Sequence, residues 1–340
     1  MPMEILDKIL LFHPKKREAL KLAIAFRRQF VIKKLIPLIY RYSMDGASRR
    51  GLVPLLNWWK DSGGLKLRWS NYAIDSASYY GHIAVLNWWK SSDLEMKWSH
   101  EAMDYASKGG HVAVLDWWKN SGLQLKWTCK ALDWASQNGN IDVLNWWKSS
   151  GLEMKWSWSA MDWASAYGHV EILDWWKSVG LEMKWTCKAI DWASESGNID
   201  VLEWWKKSGL EMKWSWSAMD WASEEGHVSV LDWWKNSGLN KKWSEQAIDE
   251  ASRQGHITVL NWWKNSGLKL IYSSDALDWA SENGHIAVLD WWMESGLRMR
   301  WTDQVRYSGR FFNNVDALKW WKTKGFEMKF SLDPVEYTFR

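Results

Sequence analysis

An all-α solenoid of about ten short helix–turn–helix repeats is the fold class this sequence predicts, and two observations predict it. A pair of adjacent tryptophans recurs ten times, beginning at Trp58, Trp88, Trp117, Trp146, Trp175, Trp204, Trp233, Trp262, Trp291 and Trp320; every interval is 29 residues except the first, which is 30. A fixed period of that length marks one supersecondary unit stacked on copies of itself, each too small to bury its apolar face alone. Within each period, two stretches have helical apolar spacing and each ends at a glycine.

The first 40 residues stand outside the repeat. The stretch PMEILDKILLF, followed by ALKLAIAFRRQF, is predicted to be helical and to cover the exposed face of the first repeat as a cap. Through Pro2, Ile5, Leu6, Ile9, Leu10, Leu20, Ile24, Arg27, Arg28 and Phe30 it also resembles the start of an F-box, without the tryptophan usual near that motif's end. Both readings stay open. The second implies the adaptor of a cullin-type ubiquitin ligase as a partner.

The repeat array is predicted over residues 41–330, and Thr128 to Trp156 shows its parts. Thr128 is the expected N-cap of a first helix carrying Ala131, Leu132, Trp134 and Ala135. Gly139 ends that helix. A second helix then runs from Asn140 with Ile141, Val143, Leu144, Trp146 and Trp147 spread over more than half of its circumference, as expected of a helix packed on several neighbours. Gly151 stops it. Leu152, Met154 and Trp156 alternate with Glu153 and Lys155 in an extended connector. Residues 303–330 form a tenth, degraded unit, as a terminal repeat requires, and residues 331–340 form a tail.

This unit resembles the ankyrin repeat. Ala135, Gly139 and a histidine after that glycine in most copies (His82, His111, His169, His227, His256, His285) stand where that family has its alanine and its Gly-His pair. Gly151 matches its second glycine. The usual ankyrin unit is four residues longer, in the connector, and Lys130-Ala131-Leu132-Asp133 replaces its Thr-Pro-Leu-His signature. The resemblance implies a protein-binding scaffold, with a groove bordered by the first helices.

Composition narrows the function. The 44 basic and 40 acidic residues leave a net charge of +4, without the concentrated basic excess of a nucleic-acid binder. No run approaches the roughly 20 apolar residues of a membrane span. Cys129 and Cys187 occupy equivalent positions two repeats apart, about 20 Å at helical layer spacing, so free thiols in a reducing cytoplasmic or nuclear setting are expected. The sequence contains no phosphate loop, Cys-x-x-Cys pair or nucleophile motif, so neither an enzyme nor a cofactor is expected.

The repeated polar residues have plain structural readings. The histidines, about one layer apart, are too far from one another to share a metal and are expected to bond locally at the turn. Asp75, Asp104, Asp133, Asp162, Asp191, Asp220, Asp249 and Asp278 come one per layer, without a paired base. Each is expected to accept from an indole or backbone N–H. The tryptophan pairs and Trp134, Trp163, Trp192, Trp221 and Trp279 are expected to be core. Trp158 and Trp216, just past the helix cap, are open to either reading.

Residues 127–184 and 185–242 match at most positions, so a two-repeat block was duplicated and few positions escaped copying. The positions that vary between repeats precede the turn glycine or follow the helix cap. They supply the candidate groove residues Tyr79, Tyr80, Lys108, Gln137, Asn138, Trp158, Tyr167, Glu195, Trp216, Glu224, Glu225, Arg253, Gln254 and Glu282. An unidentified protein is the expected partner. The alternatives are nucleic-acid binding through lysine ladders such as Lys97, Lys126, Lys155 and Lys213 together with exposed tryptophans, or a self-assembling structural solenoid.

Overall fold

The computed structural model of the chain describes residues 44–61, 68–302 and 314–326. The proposed cap at 1–40 and the tail at 331–340 lie outside these residues. The chain divides into two compact units, Met1–Ala160 and Met161–Arg340. Every regular element among the described residues is an α-helix, so the expected all-α repeat fold is borne out.

The first unit holds α1 (Met44–Arg49), α2 (Val53–Asp61), α3 (Tyr72–Tyr79), α4 (Ile83–Ser91), α5 (Glu101–Lys108), α6 (Val112–Asn120), α7 (Lys130–Gln137) and α8 (Ile141–Ser150). The second holds α9 (Ser159–Ala166, entered at the boundary), α10 (Val170–Val179), α11 (Lys188–Glu195), α12 (Ile199–Lys207), α13 (Ser217–Glu224), α14 (Val228–Asn236), α15 (Gln246–Gln254), α16 (Ile257–Asn265), α17 (Asp275–Glu282), α18 (Ile286–Glu294) and α19 (Val315–Thr323). Odd numbers up to α17 are first helices of a repeat. Even numbers and α19 are second helices.

Within each unit, first helices pack closely on one another and second helices touch far less. The residues explain the difference. First helices meet through small buried side chains such as Ala131, Ala135 and Ser136, whereas second helices carry the tryptophan pairs. The second tryptophan of each described pair, from Trp59 to Trp321, is at most 4% exposed. In Trp89, Trp118, Trp147, Trp205, Trp234, Trp263, Trp292 and Trp321 its indole N–H donates to a buried serine of the preceding repeat's first helix, as in Trp118 to Ser78 (3.1 Å), Trp147 to Ser107 (3.0 Å) and Trp234 to Ser194 (3.1 Å). A buried donor left without such an acceptor would be costly. The first tryptophan is buried or half-buried, and in Trp88, Trp117, Trp146, Trp204, Trp233, Trp262, Trp291 and Trp320 its N–H reaches a polar side chain one repeat back, as in Trp146 to Asp116 and Trp262 to Asp232, both 2.7 Å.

The repeated aspartates form a third ladder. Asp104 accepts the backbone N–H of Thr128 at 2.9 Å and its hydroxyl at 2.7 Å, and Asp220 holds Ser244 in the same way. The expected backbone donor is there, in the next repeat, but the second donor is a hydroxyl and not an indole. The indoles are already taken by the serines and by the residues before the pairs. Thr128 also differs slightly from its expected role. Its hydroxyl accepts from Lys130 N–H, but the helix cap position falls on Cys129.

His82 bonds at a turn, as expected of the histidines, and the turn belongs to the preceding repeat. His82 Nε2 lies 3.2 Å from the Arg49 carbonyl. Asn140, which replaces histidine, donates to the carbonyls of Ser107 and Lys108 at 3.1 and 2.9 Å. These are carbonyls at the end of a first helix, where no intrahelical partner exists.

Candidate partner-binding face

One set of aromatic residues escapes burial. The residue after six of the eight aspartates is aromatic, namely Tyr105, Trp134, Trp163, Trp192, Trp221 and Trp279, and all six are half-buried. The expectation that these tryptophans belong to the core is therefore corrected. The reason is helical geometry. With Ala131, Leu132, Ala135 and Ser136 defining the buried side of α7, Trp134 points about 130° away from its centre at 100° per residue. The rings are partly covered by each other instead. Tyr105 stacks on Trp134 (5.5 Å between centroids, 13° between planes), and Trp163 stacks on Trp192 (4.5 Å, 27°).

The variable residues at the ends of first helices border these rings. Tyr80 (40% exposed), Asn138, Tyr167 (54%), Glu225, Arg253, Gln254 and Glu282 are exposed, while Tyr79, Lys108, Gln137, Glu195 and Glu224 are half-buried. In the second unit, Trp163, Tyr167, Trp192, Glu195, Glu225 and His227 surround an open hollow of about 500 Å³. Trp158 (42%) and Trp216 (62%) are both exposed, which resolves the two readings left open for them. Trp216 caps the start of α13, whereas Glu224 and Glu225 lie at that helix's far end, about 12 Å away at 1.5 Å per residue. The structure thus gathers Tyr167, Glu195 and Glu225 at one hollow and leaves Trp216 at the opposite helix end.

Charge differs between the two units. In the first, the Arg49 guanidinium bonds the Tyr80 hydroxyl (3.0 Å from Nη2), and Lys108 and Lys130 lie 5.1 and 5.2 Å from the Trp134 ring centre. In the second, Glu195, Glu224, Glu225, Glu250 and Glu282 share the face with Arg253, which bonds Glu250 at 3.0 Å, and with Lys188, 5.0 Å from the Trp192 ring centre. Burial, reinforced by Glu225, holds the Glu195 carboxyl above its ordinary range. Burial together with Glu250 and Glu225 does the same to Glu224.

The lysine ladder of the connectors is engaged with the protein itself. Lys97, Lys126, Lys155, Lys213 and Lys242 each lie about 5 Å from the ring centre of the preceding repeat's connector tryptophan. Those indoles donate in turn to backbone carbonyls, as Trp127 does to Glu153 at 3.0 Å. Among the described residues no group of three or more histidine, cysteine or acidic side chains is placed to hold a metal, and no helix is long and apolar enough to cross a membrane. Cys129 and Cys187 are free thiols, raised above their ordinary pKa first by burial and then by Asp133 and Asp191 respectively.

A helix pair with a positive-φ glycine after its first helix, stacked on copies of itself, is an ankyrin-like repeat in form. No protein-family model matches the chain, and no curated protein does. Among solved structures it is similar to the human ASB11 ankyrin repeat domain, at 15% sequence identity and a TM-score of 0.44, covering 55% of this chain and 96% of that one.

Proposed function

We propose that the chain is a non-catalytic scaffold that grips a protein partner along the face formed by successive first helices. One observation carries this reading. Rings recur at a single register of the first helix and stay half-open, although the second tryptophan of every described pair is sealed. Flat aromatic surface bordered by variable polar residues is the composition of a protein-binding patch. Replacing Tyr79, Tyr80 and Tyr167 together by serine should abolish capture of the natural partner in affinity purification from native cells, with an unchanged melting profile. Undiminished capture by a folded triple variant would remove this face from consideration.

The finer reading makes the array a substrate receptor of a cullin-type ubiquitin ligase, supported by the F-box-like residues Pro2 to Phe30. Purified full-length protein should then bind the F-box-recognising adaptor and lose it on deletion of residues 1–40. A reducing cytoplasmic or nuclear location agrees with the two free thiols. Nucleic-acid binding is disfavoured because the connector lysines already lie on indole faces of their own chain. Purified protein should accordingly show no salt-dependent binding to oligonucleotides.

A further inference from the structure

The position before the last residue of the turn segment differs among repeats in an instructive way. Where it is basic, its cation lies on the ring of the next repeat. Lys108 sits 5.1 Å from the Trp134 ring centre, and Arg253 sits 5.6 Å from that of Trp279 while bonding Glu250 at 3.0 Å. The first-helix face therefore has a working arrangement in which a guanidinium rests between an indole and a carboxylate. In the repeats of α9 and α11 the same position is Ala166 and Glu195, so no cation reaches the rings from that end of the helix, and the cation on Trp192 is Lys188, 5.0 Å from its ring centre at the helix start. That is where the 500 Å³ hollow lies, with Trp163 and Trp192 on one side and the carboxylates of Glu195 and Glu225 opening onto it.

We infer that this hollow receives a lysine or arginine side chain from a partner protein, with its stem against the rings and its charge held by Glu195 and Glu225. The inference rests on the reading of the first-helix face as the interaction surface and names the chemistry that one part of it selects. Two features support it. The Glu195 carboxylate lies in a partly buried setting in which a cation meets less competition from water, with Glu225 exposed at the rim. No lysine or arginine lines the hollow, so a lysine or arginine to answer Glu195 and Glu225 there would come from outside.

The test uses full-length protein and two fluorescent peptides of equal length, one alternating arginine with serine and one alternating glutamate with serine. The arginine peptide should bind and the glutamate peptide should not. The double variant Glu195→Gln with Glu225→Gln should weaken arginine-peptide binding at least tenfold. A charge-matched control in the connectors, Glu153→Gln with Glu211→Gln, should leave it within twofold. Equal weakening in both variants would reduce the effect to bulk charge and overturn the inference, as would failure of the arginine peptide to bind wild type. Capture of the natural partner keeps the two levels apart. If Tyr79, Tyr80 and Tyr167 are needed for capture and Glu195 and Glu225 are not, the face stands and its cation preference falls.

Discussion

Trp205 and Trp216 lie eleven residues apart, and opposite fates follow from their surroundings. Trp205 is fully buried, donates to Ser165 at 3.0 Å and packs on Trp204 and Trp185. Trp205→Ala should cost about 3–5 kcal/mol, whereas Trp216→Ala, at 62% exposed, should change stability by less than about 0.5 kcal/mol. Denaturant unfolding of the two variants measures both. Comparable losses would show that Trp216 is packed. Asp249 offers a second test at this scale. Burial lifts its carboxyl from 3.8 to about 6, against the opposing hydrogen bonds from Ser273. A carboxyl with a raised folded-state pKa binds its proton more tightly when folded, so its contribution is complete below pH 3.8 and declines as pH rises through 6. The stability advantage of wild type over Asp249→Asn should therefore shrink between pH 4 and pH 7, by up to about 3 kcal/mol. A constant difference across that range would contradict the assignment. The half-open rings were legible in the sequence, since Trp134 falls about 130° from the centre of the face set by Ala131, Leu132, Ala135 and Ser136 at 100° per residue. Counting a tryptophan as core by type alone obscured this.

Helix ends are where single elements reveal their rules. Gly151 closes α8 at φ 74°, and an added Cβ there would meet nothing within 4 Å. Gly81 has the same φ, but its Cβ would lie 3.0 Å from the His111 ring. Gly151→Ala should cost about 1 kcal/mol for the backbone alone, and Gly81→Ala should cost clearly more. Asp93 occupies the place of Gly151 in its own repeat and is the only described non-glycine residue with positive φ, at 60°. Asp93→Gly should stabilise the protein by about 0.5–1 kcal/mol, because its Lys60 partner lies on the exposed surface at 3.7 Å and adds little. Thermal melts of the three variants check the order, and a destabilised Asp93→Gly protein would refute it. These ends were readable from glycine spacing. The ladders between repeats were not. They join residues 24, 30 and 40 positions apart, and no local pattern says which hydroxyl a carboxylate will meet.

At the scale of the molecule, each unit is a succession of near-identical interfaces, so stability accrues between neighbours and no central core exists. Removing Trp205 should consequently split unfolding into more than one calorimetric transition. A single transition shifted intact to lower temperature would argue for cooperativity across the whole chain. The 29-residue beat was enough to foresee this architecture. It could not show which side of the repeat stays open, because that depends on how closely alanine-faced helices approach compared with tryptophan-faced ones.

The tryptophan pairs also have an optical consequence. In every described pair from Trp88–Trp89 to Trp320–Trp321 whose rings are in contact, the indole planes cross at 87–90° with centroids 5.0–5.2 Å apart. Chromophores that close share excitation, and a nonparallel pair rotates polarised light as one coupled oscillator. An ultraviolet dichroism signal from the indoles should overlie that of the helices, so helix content read from the spectrum will be distorted. Emission should be strongly depolarised in the folded protein, because excitation hops between crossed dipoles before it is released.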